Sequence, residues 1–539
     1  MTAQRSSYYL TTPIYYVNDV PHLGTAYTTL AADVMARYRR MLGCDVCLLT
    51  GLDEHGQKVE QAASAAGMTA QEWVDKLAPS FIEAWDMLNI NYDVFMRTTD
   101  AAHKKSVQAF AQRLYENGDI YEGKYEGWYC VPDETYWAES DIDMPAEDEP
   151  ENAVPDCPDC QRPLQFVEEK NWFFRLSKYA DFLIEHYENN PQAMGPDTRR
   201  NEVLSFLRGG LRDLSISRAN VEWGIPLPWT EDSDDPQTMY VWFDALINYI
   251  TAIGFASGSE ACDEEFAYRW PAQVHYVGKD IIRFHCVIWP AMLHAAGLAL
   301  PKTVFAHGFL LTKGEKMSKS RGNAMTPAEL VERFGVDGYR YYFMRDVSFG
   351  MDGSISLDAM VQRFNGDLAN DWGNLCSRLF SMVGKYCDGI APSYVGDIHA
   401  EDAEGAVLRD IATGLFDRVE DAMDRFDYSG ALNAIWDLVR GANCYLEDSA
   451  PWGLAKDPEQ ADRLANVLYS ALEACRVTAL YTAATMPAAS DEVMARLGLP
   501  PASNVIDLEE AAKWGGLPAG NEVRKGDPLF LRIEIEDAQ

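Results

Sequence analysis

Two lysines stand close together in Lys316-Met317-Ser318-Lys319-Ser320, between Gly314 and Gly322. An ammonium group is a compact cation and flanking glycines let a loop move, so this pentapeptide suits a polyphosphate whose charge grows during a reaction. Far upstream, Pro13-Ile14-Tyr15-Tyr16-Val17-Asn18 runs into His22-Leu23-Gly24-Thr25. A histidine followed by glycine at the start of a helix puts an imidazole and bare backbone N–H groups where phosphate binds. Gly51-Leu52-Asp53-Glu54-His55-Gly56 follows an apolar run, and a carboxylate at a strand end is a device for holding an ammonium ion. Alone, each is weak: lysine-rich loops are usually solvated turns, and an aspartate in this position often caps a helix.

The elements that would position these residues are legible in outline. Residues 8–15 form a β-rich run, a helix is expected over 24–40, and 46–50 is a second apolar strand. Strand, helix, strand in this order begins a parallel α/β sheet, whose ligands sit beyond the carboxyl ends of its strands. Residues 69–118 read as helices. From Lys124 the texture changes to aromatics (Tyr125, Trp128, Tyr129, Tyr136, Trp137), followed by acids without a base over 139–156 and then Cys157-Pro158-Asp159-Cys160. That is the texture of a loop-rich insertion. The α/β pattern resumes near Ser215, with strand-and-loop units at 275–280 and 303–311. Helical periodicity dominates from Phe334 to Met486, and the alternating tail, 529–535, is expected to pack back on the body.

Composition bounds the class. The chain has 539 residues, enough for roughly three or four domains. Its 47% hydrophobic and 12% aromatic content is that of a well-packed globular protein. The absence of a long apolar run or signal-peptide core leads to the expectation of a cytoplasmic chain with no membrane span. The 11 cysteines then read as reduced thiols, close pairs being candidates for metal. With 83 acids against 46 bases the net charge is −37, whereas nucleic-acid binders are usually basic. A docking surface can still be positive on a negative protein, which then repels random polyanions and binds only in register.

Taken together, the His22 motif, the Asp53 motif, Tyr240-Val241-Trp242-Phe243-Asp244-Ala245, Gly278-Lys279-Asp280-Ile281-Ile282-Arg283-Phe284-His285 and the lysine loop resemble the methionyl-tRNA synthetase family of class I aminoacyl-tRNA synthetases. The resemblance spans nearly the whole chain. It implies an α/β fold: a Rossmann-like parallel-sheet catalytic domain, a connective-peptide insertion with a possible zinc knuckle, and a C-terminal α-helical anticodon-binding domain. The implied layout is 1–118 and 215–323 for the two catalytic halves, 119–214 for the insertion, 324–380 for a stem-contact region and 381–539 for the helical domain. The implied reaction joins L-methionine to initiator and elongator methionine tRNAs. ATP, with Mg2+, first gives methionyl-adenylate and pyrophosphate, and the methionyl group then passes to the terminal adenosine.

The resemblance also assigns residues. His22, Gly24, Thr25, Gly278, Asp280, Lys316, Ser318 and Lys319 are matched to ATP, with Thr25 standing where the family commonly has histidine. Asp53 is matched to the ammonium group and Arg218 to the substrate carboxylate. A thioether offers polarizability and little hydrogen bonding, so the pocket should be largely aromatic. The matching residues are Ile14, Tyr16, Trp242, Ala245, Leu246, Tyr249, Ile281 and His285, with Trp289 behind. Trp242, Ala245, Leu246 and Tyr249 share one face of a regular helix, and Tyr16 and His285 carry the polar handles for sulfur. Asn374, Arg378, Pro451 and Trp452 are matched to anticodon readers; the bland alternative is a capped helix turn and a core tryptophan. Many relatives hold zinc with two Cys-x-x-Cys pairs. Here the set is Cys130, Asp133, Cys157 and Cys160, which leaves two readings open: three thiolates and a carboxylate on Zn2+, or a decayed knuckle. Cys44 and Cys47 read as buried thiols. No further tRNA-binding module follows Gln539, so a monomer is expected.

The rivals are weaker. Leucine, valine and isoleucine enzymes resemble one another in a much larger insertion, and a cysteine enzyme should hold zinc in the catalytic pocket. A non-catalytic tRNA-binding relic has no use for the lysine loop with Asp53 and His22, and a nucleotidyl transferase sharing the sheet lacks the helical domain.

Overall fold

The computed structural model describes residues 5–17, 20–131, 135–137, 139–145, 154–219, 221–231, 233–312, 315–316 and 325–534. Its centre is a parallel six-stranded sheet of β1 (Ser7–Tyr16), β2 (Asp45–Asp53), β3 (Val94–Arg97), β4 (Met194–Gly195), β5 (Val274–Gly278) and β6 (Val304–His307). The spatial order is β3-β2-β1-β5-β6-β4. Chain progression therefore reverses between β1 and β5, the switch point at which an open α/β sheet takes its ligand. Side chains alternate across the strands: Tyr9, Leu49, Val277 and Ala306 enter one core, Leu10, Leu48, Tyr276 and Phe305 the other. Both faces are covered, as a parallel sheet requires. One face packs on α1 (Leu23–Met41), the other on α2 (Ala101–Glu116) and on the short pair α3 (Val241–Ala245) and α4 (Asn248–Thr251).

Three expectations are corrected. The run 69–118 is not all helix, because β3 interrupts it, pairing Val94 with Leu49 and Phe95 with Thr50. Four residues are too few to carry a period-2 signal. The sheet's far edge is Met194–Gly195, two residues returned from within the insertion to pair with Val304 and Phe305. The unit at 303–311 divides, β6 joining the main sheet and Leu310–Thr312 a separate one with Glu315–Lys316 and Gly353–Ile355. Within the insertion, Ile120–Cys130 and Gln165–Phe174 form the centre of an antiparallel sheet edged by Thr135–Trp137 and Leu214–Ser215.

The C-terminal third is helical as expected, with α5 (Pro327–Asp346), α6 (Asn374–Tyr386), α7 (Tyr428–Ser449), α8 (Pro451–Leu454) and α9 (Ala461–Thr482). Thr326 caps α5, its hydroxyl accepting from the Glu329 N–H while the Glu329 carboxylate accepts from Thr326 N–H. The helical part is bolted to the sheet by polar contacts. Arg340 of α5, fully buried, donates to Asp33 of α1 at 2.6 Å and to the carbonyls of Leu88, Asn89, Ala484 and Thr485. Tyr428 of α7 donates to the Ala31 carbonyl and receives the Tyr276 hydroxyl, each at 2.8 Å. The tail packs back, Phe530 lying against Phe364 and Trp372, but its alternation yields no strand among the described residues. Asn365 instead exchanges two hydrogen bonds with the backbone of Ile533. Among the described residues no helix is long and apolar enough to cross a membrane.

Candidate active site

Beyond the carboxyl end of β1 the chain turns into α1, and His22 is the helix N-cap. Its Nδ1 accepts the backbone N–H groups of Gly24 at 3.0 Å and Thr25 at 3.3 Å. An Nδ1 lone pair used this way leaves the ring proton of the neutral imidazole on Nε2, a donor. Thr25 completes a capping box by accepting the His22 N–H at 3.1 Å. The threonine thus has a structural task that composition alone did not announce. Gly24 leaves room for the folded-back imidazole, since a Cβ there would lie in tight contact, 3.0 Å from the ring.

Next to this helix end, Tyr16 and Asp53 are register partners at the ends of β1 and β2. A narrow cavity opens beside them, lined by Pro13, Ile14, Asp53, Trp242, Ala245, Leu246, Asn248, Tyr249 and His285. Asp53 is buried, at 3% exposure. Most of the anticipated residues are brought together, but by a different local geometry. The helix expected to carry Trp242, Ala245, Leu246 and Tyr249 on one face breaks between α3 and α4. Leu246 and Ile247 between them keep right-handed helical dihedrals, so the four residues still line one cavity, and Asn248 joins its wall. Trp242 stacks on Phe284 with ring centroids 3.8 Å apart, at the start of a π-helical turn, Phe284–Ile288, of a kind often found at functional sites.

The polar handle is also different. His285 donates from Nδ1 to the Ile281 carbonyl at 3.0 Å, so its Nε2 accepts the Tyr249 hydroxyl at 2.7 Å. Burial lowers the His285 pKa to about 4, which keeps the ring neutral near pH 7. Both nitrogens are occupied, and His285 orients Tyr249. Tyr249 is held from behind as well: its ring stacks on His275 at 4.3 Å, and its carbonyl accepts the Tyr9 hydroxyl. Trp289 donates to His275 at 3.3 Å and is fully buried in this second layer. Tyr16, Ile281 and Trp289 do not line the cavity; the Tyr16 ring lies under the Lys58 ammonium.

Other anticipated groups lie around the cleft. Gly278 ends β5 opposite His307, and a Cβ on it would meet an Asp280 carboxylate oxygen at 2.4 Å. Arg218 is not in the cavity wall: its guanidinium lies over the rings of Tyr240 and Tyr129, at 4.6 and 5.1 Å. Lys316 sits in a hairpin strand opposite Leu311. Met317, Ser318, Lys319 and Ser320 lie outside the described residues, as do Asp133 and residues 146–153 of the acidic stretch.

In the helical part, Asn374 and Arg378 are one turn apart on α6, and Arg378 forms an ion pair with Glu447 of α7. Pro451 is buried at the start of α8, but Trp452 is 40% exposed, whereas Trp372 and Trp436 are wholly buried. The core-tryptophan alternative is thereby excluded. In the insertion, the ligand atoms of Cys130, Cys157 and Cys160 lie within 4.8 Å of one another, with the first and last sulfurs 3.5 Å apart. Sulfurs on a tetrahedral zinc ion would be separated by about 3.8 Å, from a Zn–S bond of about 2.3 Å, so this spacing fits a thiolate site.

Comparison with known proteins agrees with this geometry. Residues 8–380 match the family model of class I tRNA synthetases (M), and residues 396–539 that of the anticodon binding domain of methionyl tRNA ligase. The methionine–tRNA ligase of Thermotoga maritima is 47% identical over 98% of this chain and 81% of its own length. That of Streptomyces coelicolor is 45% identical over 99% of this chain and 98% of its own. A solved structure of Mycobacterium tuberculosis methionyl-tRNA synthetase with methionyl-adenylate superposes with a TM-score of 0.90 at 42% identity, covering 98% of this chain and all of that one. A match of this extent to both models, on a sheet whose strand ends carry the expected motifs, means that the chain belongs to the methionyl-tRNA synthetase family of class I tRNA synthetases.

Proposed function

We propose that this chain ligates L-methionine to methionine tRNAs in two steps, using ATP with Mg2+. The observation that carries this reading is the cavity at the sheet's switch point, in which one buried carboxylate, Asp53, faces an apolar wall beside the His22-capped helix. Asp53 holds the substrate ammonium. Ile14, Trp242, Ala245, Leu246 and Tyr249 enclose the side chain, with Tyr16 and Ile281 at the margin and Trp289 behind. His285 acts through Tyr249, which it holds in place at the cavity wall.

In the first step the methionine carboxylate attacks the α-phosphate of ATP in line and pyrophosphate leaves, so positioning and charge stabilisation carry the rate. His22, Gly24, Thr25, Gly278 and Asp280 bind ATP, while Lys316, Ser318 and Lys319 meet the pyrophosphate side. Arg218, sandwiched between tyrosines, acts near the substrate carboxylate. In the second step a ribose hydroxyl of the terminal adenosine attacks the activated carbonyl and AMP leaves. Asn374, Arg378, Pro451 and Trp452 read the anticodon, an exposed tryptophan being a stacking plane for a splayed base. This reading carries the domain layout given above and a monomeric, cytoplasmic enzyme.

Methionine alone among the amino acids should support pyrophosphate exchange. Trp452→Ala should leave that exchange intact while cutting aminoacylation about ten- to hundredfold, the worth of one stacked base. Exchange supported equally by isoleucine or leucine, or equal damage to both reactions in the variant, would overturn the assignment.

Cys130, Cys157 and Cys160 are proposed to hold zinc, with Asp133 as fourth ligand, to staple the insertion. Purified protein should then carry about one zinc per chain, and Cys157→Ser should release it. Asp133→Cys should tighten retention against chelators, and Asp133→Ala should weaken it. Metal analysis returning no zinc, with the fold of the insertion indifferent to chelators, selects the decayed knuckle.

A further inference from the structure

Asp244, in α3, has its carboxylate wholly inside the protein. One oxygen accepts the Nδ1 proton of His55 at 2.6 Å, and the other accepts the Nε2 proton of His103 at 2.7 Å. Three elements meet at this one group: α3, which supplies Trp242 and Ala245 to the cavity wall; the loop after β2, in which His55 stands two residues beyond Asp53; and α2. Burial works against charge on Asp244, but the two imidazoles prevail and hold its carboxyl down to about 2. A deep carboxylate is tolerated when both oxygens are used, and such a group resists displacement because any shift leaves it unsatisfied.

The loop it grips is braced from other sides. Glu54 receives Arg97 at 2.6 Å and the Thr99 hydroxyl on its carboxylate, and its N–H donates to Thr98 at 2.9 Å. The Trp223 indole donates to the Glu54 carbonyl, the Trp223 carbonyl accepts the Gly56 N–H at 3.1 Å, and the His55 ring stands edge-on to Trp223. These contacts tie residues 53–56 to β3 and to the Trp223 segment. The His55–Asp244 bond ties them directly to α3. The Asp53 carboxylate, at the end of β2, and the Trp242–Ala245 wall, on α3, thus sit on different elements, and the His55–Asp244 hydrogen bond spans directly from the loop that follows Asp53 to α3.

We propose that Asp244 is a positioning residue that sets the span between the Asp53 carboxylate and the α3 wall, and with it the length of side chain the site accepts. This rests on the reading of Asp53 as the ammonium anchor. An amino acid clamped at its ammonium and stopped by the α3 wall is measured, and the measure is only as firm as the link between the two ends. A purely stabilising core pair would behave differently, lowering the melting temperature and damaging every kinetic constant together.

Asp244→Asn keeps the shape but sets an amide N–H against one imidazole N–H. In pyrophosphate exchange it should raise KM for methionine about ten- to hundredfold, leaving kcat and KM for ATP within about threefold. The preference for methionine over the longer ethionine and the shorter norvaline should shrink. His55→Gln, which breaks the same link from the loop side, should reproduce the pattern and serves as the test if Asp244→Asn does not fold. A folded variant with parental KM and parental discrimination overturns the proposal, as does a parallel loss of melting temperature, KM for ATP and kcat. Asp53→Ala, assayed alongside, separates the two readings. If it loses exchange while Asp244→Asn keeps the parental KM, the measuring role alone fails; if it retains exchange, anchor and measure fail together.

Discussion

Replacing Asp53 with alanine should remove methionine activation, lowering pyrophosphate exchange by a factor between about a hundred and several thousand. The range follows from the cost of leaving a charge unpaired in a desolvated site, about 3–5 kcal/mol. Asp53 closes one end of the cavity at 3% exposure, so little water can replace it as partner to the ammonium. The loss should lie in the use of methionine, with ATP binding retained, because the groups proposed for ATP sit on α1 and on the loop after β5. Equilibrium binding of ATP and of methionine, measured separately, checks this. Exchange within tenfold of the parent would show that the ammonium is held elsewhere.

The lysine loop should give the second large effect. Alanine at Lys316 or at Lys319 removes a cation from the leaving pyrophosphate, and loss of a charged donor aimed at developing charge costs on the order of 3 kcal/mol, about a hundredfold in rate. The chain enters this loop from a hairpin in which Lys316 pairs with Leu311, so one lysine starts from a fixed backbone position. Single-turnover formation of methionyl-adenylate should slow about a hundredfold in each variant while methionine affinity changes little, the pattern of an interaction made only in the transition state. Parental rates in both variants would remove the loop from the chemistry.

Much of the site was legible because strand ends and motifs coincide: Ile14, Asp53, Trp242, Ala245, Leu246, Tyr249 and His285 do line one cavity. What escaped the sequence depends on tertiary contacts. Asn248 lines the wall although a regular helix would place it off the stripe. The tautomer that makes His285 an orienting group is set by the Ile281 carbonyl, which has no sequence signature. Thr25 looked like a missing histidine and is half of a capping box. Arg218 lies between two tyrosines contributed by different segments, a placement no spacing rule could supply. β3 and Met194–Gly195 are strands only because neighbours offer an edge, since two to four residues carry no periodicity of their own.

The contact of Arg340 with Asp33 has a consequence for how this architecture can be divided. Burial weakens the charge on Arg340 and disfavours it on Asp33, yet Arg340 and Arg37 hold the Asp33 carboxyl below its ordinary range. Two of Arg340's five acceptors, the carbonyls of Ala484 and Thr485, follow α9. Excising residues 381–539 would strip those acceptors from the Arg340 guanidinium deep in the protein and would also remove Tyr428 from the Ala31 carbonyl of α1 and the Tyr276 hydroxyl of β5. The helix disturbed is the one whose first turn His22 caps. Although amino-acid activation uses no anticodon-reading group, the catalytic half is not a free-standing cassette, and a lineage exchanging its tRNA-reading part would have to inherit this seam along with it.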